Sequence, residues 1–141
     1  MGTTPTHHLY ALHAALDMIL GEGICHVWAR HRALAASVWA AFDVWDQSHD
    51  HIVINVSKPA ERGTYVTAAR LGTPYATALR RWAEENAGVT FGIGLGMLEP
   101  NDPVYYGFLR LAHMGHVNAH MTLGVLSVME AGMLALNIAY G

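Results

Sequence analysis

The sequence predicts an α+β domain: a small, mostly antiparallel sheet of three to four strands with helices packed on one face. Three observations carry this. Two apolar stripes at helical spacing lead the chain, β-branched runs at 51–57 and 64–71 are separated by only a short turn, and a long apolar segment closes the chain. Strands alternating with helices can also build a parallel, doubly wound sheet. The leading helices and the short strand pair within 52–70 favour the antiparallel arrangement.

The elements follow in order. Thr4-Pro5 reads as a helix start, with threonine as N-cap and proline at the first helical position. Leu9, Leu12, Leu16, Ile19 and Leu20 keep helical spacing, and Gly21-Glu22-Gly23 can end the helix through a left-handed glycine. A second helix places Val27, His31, Leu34, Val38, Phe42 and Trp45 on one stripe and fades by 47–50. Ile52, Val53, Ile54 and Val56 mark a strand over 51–57, 58–63 is a turn-rich connection, and 64–71 is a second strand. Gly72-Thr73-Pro74 repeats the cap-plus-proline signature, with a helix to about Asn86 closed by Gly88. A third strand is expected over 89–95, an exposed loop over 99–103 and a fourth strand over 106–113. Asn118 starts a last helix that ends near Asn137, and its stripe of Val117, Met121, Val125, Val128 and Leu136, with Gly132 among them, is expected to pack on the sheet.

Composition narrows the function classes. The chain has 141 residues, which fits one domain spanning 1–141. It is 52% hydrophobic and 13% charged, enough apolar matter for a core and little charge for a solvated surface. Part of the apolar surface is therefore expected to meet another chain or domain, as in a homo-oligomer. The net charge of −3 comes without any basic run, which argues against a nucleic-acid partner. The single cysteine, Cys25, excludes an internal disulfide and fits a cytoplasmic location. No signal peptide is visible. The most apolar stretch, 121–138, contains Glu130 near its middle and reads as a buried helix, so no membrane partner is expected.

Four groupings could carry chemistry. Arg110 lies inside an apolar strand, where a guanidinium needs an anion. Alternation puts it on one face with Phe108, Ala112 and Met114. It either grips a carboxylate through two parallel hydrogen bonds or pairs with an acidic residue of the protein itself. Gly92-Ile93-Gly94-Leu95-Gly96 has the glycines of a phosphate loop but no helix start after it, so close backbone approach is the simpler reading. His113, His116 and His120 have a spacing that can hold a metal, and they can equally be structural or interfacial histidines. Lys58, the only lysine, sits before a proline in a polar turn, a poor setting for a Schiff base.

The run Gly107-Phe108-Leu109-Arg110-Leu111-Ala112-His113-Met114-Gly115-His116 resembles the R-[IL]-G-H-M-G stretch of the alanine–glyoxylate and serine–glyoxylate aminotransferases, class V and fold-type I. Thr3-Thr4-Pro5 through Tyr10-Ala11-Leu12 resembles that group's entry into its long connecting helix, and 92–96 resembles the glycine-containing strand before the arginine strand. The resemblance implies the C-terminal small domain of an aminotransferase that uses pyridoxal 5'-phosphate. Its substrates would be an amino acid and a 2-oxo acid such as glyoxylate or pyruvate. Arg110 would bind the substrate α-carboxylate, and Thr3 would reach the cofactor phosphate of the partner subunit in a homodimer. Ala112 departs from the family, which often has glycine there. The family's Schiff-base lysine belongs to a large domain that these residues do not match, so the chain alone is expected to bind no cofactor and to carry no catalytic residue. A self-associating, non-catalytic or engineered fragment is the competing reading, and a histidine metal module is a third.

Overall fold

A computed structural model of the chain describes residues 2, 4–46, 52–94, 99, 102 and 106–141. The elements run α1 (Thr6–Glu22), α2 (Ile24–Trp45), β1 (Val53–Ile54), a 3-10 turn (Pro59–Glu61), β2 (Val66–Arg70), α3 (Tyr75–Ala87), β3 (Phe108–Ala112) and α4 (Ala119–Ala135). The strands form one antiparallel sheet in the order β1-β2-β3. The α+β expectation is met.

The core lies on one face of the sheet. Ala69 and Leu71 from the β2 region and Leu109 and Leu111 from β3 meet Val38 and Phe42 of α2, Leu79 of α3, and Met129 and Met133 of α4. Strand alternation sends the neighbours of these residues to the other face. The register pairs Ala68 with Arg110 and Arg70 with Phe108, so these four share the face turned away from the helical core. The α2 stripe is as expected, with Val27, Leu34, Val38, Phe42 and Trp45 buried; His31 is half-buried.

Helix ends explain several boundaries. Gly23, with φ of +87°, separates α1 from α2 and donates its N–H to Ile19 O at 2.8 Å. Gly88 is left-handed and closes α3, and the Asn118 side chain accepts from the Met121 N–H at 3.0 Å to start α4. The two threonine–proline starts differ from expectation. Pro5 and Pro74 are themselves the N-caps, and neither helix has a side-chain cap bond.

Other expectations are corrected. Within 51–57 only Val53 and Ile54 pair as strand; Asn55 N–H still donates to Ala68 O at 2.9 Å, but the chain bends at 55–56 and leaves the ladder, and His51 lies outside the described residues. The second and fourth strands are shorter than predicted, at Val66–Arg70 and Phe108–Ala112. The stretch 89–94 forms no strand but touches β3 through one bridge, Gly92 to Arg110. Glycines at 92 and 94 offer no side chains to pack and so sustain little ladder. Of the loop 99–103, Glu99 is exposed and Asp102 half-buried, and the rest lies outside the described residues. The buried face of α4 is Thr122, Leu126, Met129, Gly132 and Met133, whereas Met121 of the expected stripe is exposed and Val125 and Val128 are half-buried. This helix is apolar nearly all round, so periodicity does not select its inner face.

Candidate functional site

The site is built around Arg110. Leu109 and Leu111 point into the core, which turns Arg110 to the face that the helical core leaves free. Opposite it on β2 stands only Ala68. On its other side Gly92 exchanges backbone bonds with it, Gly92 N–H to Arg110 O at 3.0 Å and Arg110 N–H to Gly92 O at 2.8 Å. A Cβ at Gly92 would meet Arg110 Cβ at 3.3 Å and Nε at 3.4 Å, and one at Gly94 would meet Phe108 Cβ at 2.7 Å. The two glycines therefore make room for the arginine and the phenylalanine beside it. Arg80 on α3 steadies the start of β3, donating from Nη1 to Phe108 O at 2.7 Å and from Nη2 to Thr77 Oγ1 at 2.9 Å.

Arg110 is half-buried, and its guanidinium is held at one exposed point, where Nε–H donates to Ile93 O. Among the described residues, Nη1 and Nη2 have no hydrogen-bond partner and no carboxylate pairs with the group. Of the two readings left open by the sequence, an internal ion pair is not what the described residues form. The Nη1–Nη2 edge is the fork that takes a carboxylate through two parallel bonds.

The other candidates fall elsewhere. Lys58 is solvated, with its side chain 74% exposed and Nζ 2.9 Å from Glu61 Oε1. Thr3 lies outside the described residues, as do Leu95 and Gly96 of the glycine run. His113 is buried while His116 and His120 are exposed, and among the described residues no three metal-ligating side chains converge.

His113 is instead part of a closed polar chain. Trp39 Nε1–H donates to Thr67 Oγ1 at 3.0 Å, and Thr67 Oγ1 lies 2.9 Å from His113 Nε2. His113 Nδ1 lies 3.1 Å from Thr64 O. A carbonyl can only accept, so Nδ1 carries the proton and neutral Nε2 accepts from the threonine hydroxyl. Burial pushes this imidazole below the ordinary histidine range, the Thr64 bond opposes the shift, and nearby His31 adds to it.

Sequence reasoning missed Arg30. Its Nε and Nη2 donate to the two carboxylate oxygens of Glu22, both at 2.7 Å, and Nη1 donates to Gly115 O at 2.8 Å and Val117 O at 3.0 Å. The pair fastens the segment after β3 to the α1–α2 junction. It holds Glu22 below the ordinary carboxylate range, chiefly through the Arg30 hydrogen bond. Beside it opens an apolar groove of about 530 Å³ lined by Met18, Ile19, Trp28, Tyr65 and Met114. Nothing in the spacing of Glu22 and Arg30 signals a bond across a helix break.

The geometry can be set against known proteins. No family model matches the chain. It is 28% identical over 137 residues to the L-aspartate–glyoxylate aminotransferase of Paracoccus denitrificans, covering 96% of this chain and 32% of that protein. It is 28% identical over 136 residues to the serine–glyoxylate aminotransferase of Arabidopsis thaliana, covering 94% and 30%. The crystal structure of pyridoxamine–pyruvate aminotransferase from Mesorhizobium loti matches with a TM-score of 0.77 and 25% identity, over 99% of this chain and 33% of that one. The chain is similar to the C-terminal part of class V aminotransferases. It spans about a third of the length of the aminotransferases it matches. The fold is shared more widely, for ureidoglycine–glyoxylate aminotransferase from Bacillus subtilis matches with a TM-score of 0.76 at 21% identity over 94% of this chain.

Class V aminotransferases work with pyridoxal phosphate, which supplies the electron sink for amino-group transfer. The residues of this chain do not fit the cofactor's covalent anchor. That anchor is a desolvated lysine, and Lys58, the only lysine, is paired with Glu61 in solvent.

Proposed function

We propose that the chain is the C-terminal, substrate-positioning domain of a pyridoxal-phosphate-dependent aminotransferase. The reaction would pass an amino group from an amino acid to glyoxylate or pyruvate, and Arg110 binds the α-carboxylate of the amino acid or oxo acid. One observation carries the reading: the Arg110 fork stands over Gly92 on the sheet face turned from the helical core, with no described carboxylate to neutralise it. The matched proteins, which by name transfer amino groups to glyoxylate or pyruvate, support it. Thr3 is assigned to the cofactor phosphate by resemblance alone. Chemistry on the cofactor belongs to groups outside these residues.

Self-association is the second reading, and α1 favours it. No residue of α1 is buried, and Leu9, Leu12, Leu16 and Leu20 are all exposed, while Val27 at the start of α2 is already covered. A homodimer that buries this face is compatible with the first reading. A free, exposed Cys25 supports a reducing compartment such as the cytoplasm.

Calorimetric titration with pyruvate tests the role of Arg110. The wild-type chain binds, Arg110→Gln weakens binding about tenfold or more, and Arg110→Lys recovers only part because it loses the planar fork. Equal affinity in all three proteins contradicts the assignment.

A further inference from the structure

A second arginine shares the face of Arg110. In the antiparallel register Ala68 lies opposite Arg110 and Phe108 lies opposite Arg70, so Arg70 is the diagonal neighbour of Arg110 on the same side of the sheet. Diagonal neighbours are about 7–8 Å apart, a distance that two long side chains can close or straddle. Arg70 is exposed, and like Arg110 it pairs with no described carboxylate. Neither β1, β2 nor β3 contains an acidic residue. Two guanidinium groups thus face the same space, where each raises the cost of the other until an anion arrives. Ala68, Gly92 and Gly94 keep the floor between and beside them low, and Phe108 stands opposite Arg70, two residues before Arg110 on β3.

We infer that Arg70 is a specificity-determining residue that binds a second carboxylate, so the substrate class is a short dicarboxylic amino acid or its 2-oxo acid. This rests on the reading of Arg110 as the α-carboxylate site. Arg110 takes one end of the acid, and Arg70 takes the other end of a chain of four or five carbons. A second fork contributes charge-assisted bonds available only to the dianion. A monocarboxylate of the same length makes none of these bonds and feels only the weaker long-range attraction of the second charge.

The test compares succinate with butyrate, which have equal carbon counts, by titrating the whole chain at low ionic strength and following the arginine Nε–H resonances. The wild type binds succinate about three- to tenfold more tightly than butyrate. Arg70→Gln removes that preference by weakening succinate far more than butyrate, and Arg70→Lys keeps part of it. Arg32→Gln, which removes an exposed positive charge on α2, leaves the preference intact. A preference that survives Arg70→Gln, or one that Arg32→Gln erodes equally, overturns the assignment of Arg70. If Arg110→Gln leaves butyrate affinity unchanged, the α-carboxylate reading itself fails. If neither acid moves either arginine resonance at its solubility limit, both fail.

Discussion

Gly92 faces Arg110 across the edge of the sheet so closely that a Cβ on the glycine would stand 3.3 Å from Cβ of the arginine and 3.5 Å from Nη2. The position of the guanidinium is therefore set by a missing side chain as much as by the strand that carries it. A methyl group there must displace the arginine by a few tenths of an ångström, and a branched side chain must displace it further. Gly92→Ala is expected to weaken carboxylate binding several-fold and Gly92→Val to weaken it more. Gly92 has no positive φ, so melting temperature should change little in the alanine variant. Calorimetry with pyruvate checks this; wild-type affinity in Gly92→Val would show that the arginine is not held against the glycine.

Two glycines of α4 separate packing from helix propensity. A Cβ at Gly132 would lie 2.6 Å from Leu79 Cδ1 and 2.7 Å from Trp82 Cε3, whereas one at Gly124 meets nothing within 4 Å. Gly124→Ala is expected to stabilise the fold by up to about 1 kcal/mol through helix propensity. Gly132→Ala should instead cost about 1–3 kcal/mol, because overpacking against the tryptophan ring outweighs the same propensity gain. Urea unfolding of the two variants measures both signs. Equal effects would contradict the close approach of α3 and α4.

The buried histidine gives a pH dependence of defined sign. In the folded chain His113 titrates below the usual 6.5, chiefly through burial. The unfolded chain then binds more protons as pH falls through 6.5, so this contribution to stability is complete above that value and declines below it. His113→Gln is expected to flatten this part of the stability–pH profile, even though the variant is less stable at neutral pH because the bonds to Thr64 and Thr67 are disturbed. Parallel profiles for wild type and variant between pH 7 and about 5 would contradict the assignment.

The sequence makes some of this structure legible and hides the rest for identifiable reasons. Asn118 and Gly88 announce their helix ends because a cap bond and a left-handed residue are local. The α2 stripe is readable because its outer face carries residues such as His26, Arg32 and Asp43. The inner face of α4 is not, because exposed Met121, Leu123 and Leu134 look no different in sequence from buried Met129 and Met133. Arg110 stands out as a cation among apolar residues. Its neighbours Ala68 and Arg70 do not, since the register of β2 with β3 spans α3 and no local rule fixes it. The same non-locality hides the Arg30 bonds to Gly115 and Val117. The Thr4-Pro5 and Thr73-Pro74 signals mark helix starts correctly within a residue or two but assign the wrong residue to the cap.

The central claim is that the free edge of Arg110 recognises a carboxylate. The most direct measurement is the Arg110 side-chain resonances in 15N-labelled protein, assigned by comparison with Arg110→Lys and titrated with pyruvate and, separately, with its neutral amide. Pyruvate should shift and saturate the Arg110 signals, while the amide leaves them in place. Matching responses to acid and amide, or Arg110 signals that stay fixed while other arginines respond to pyruvate, would contradict the claim.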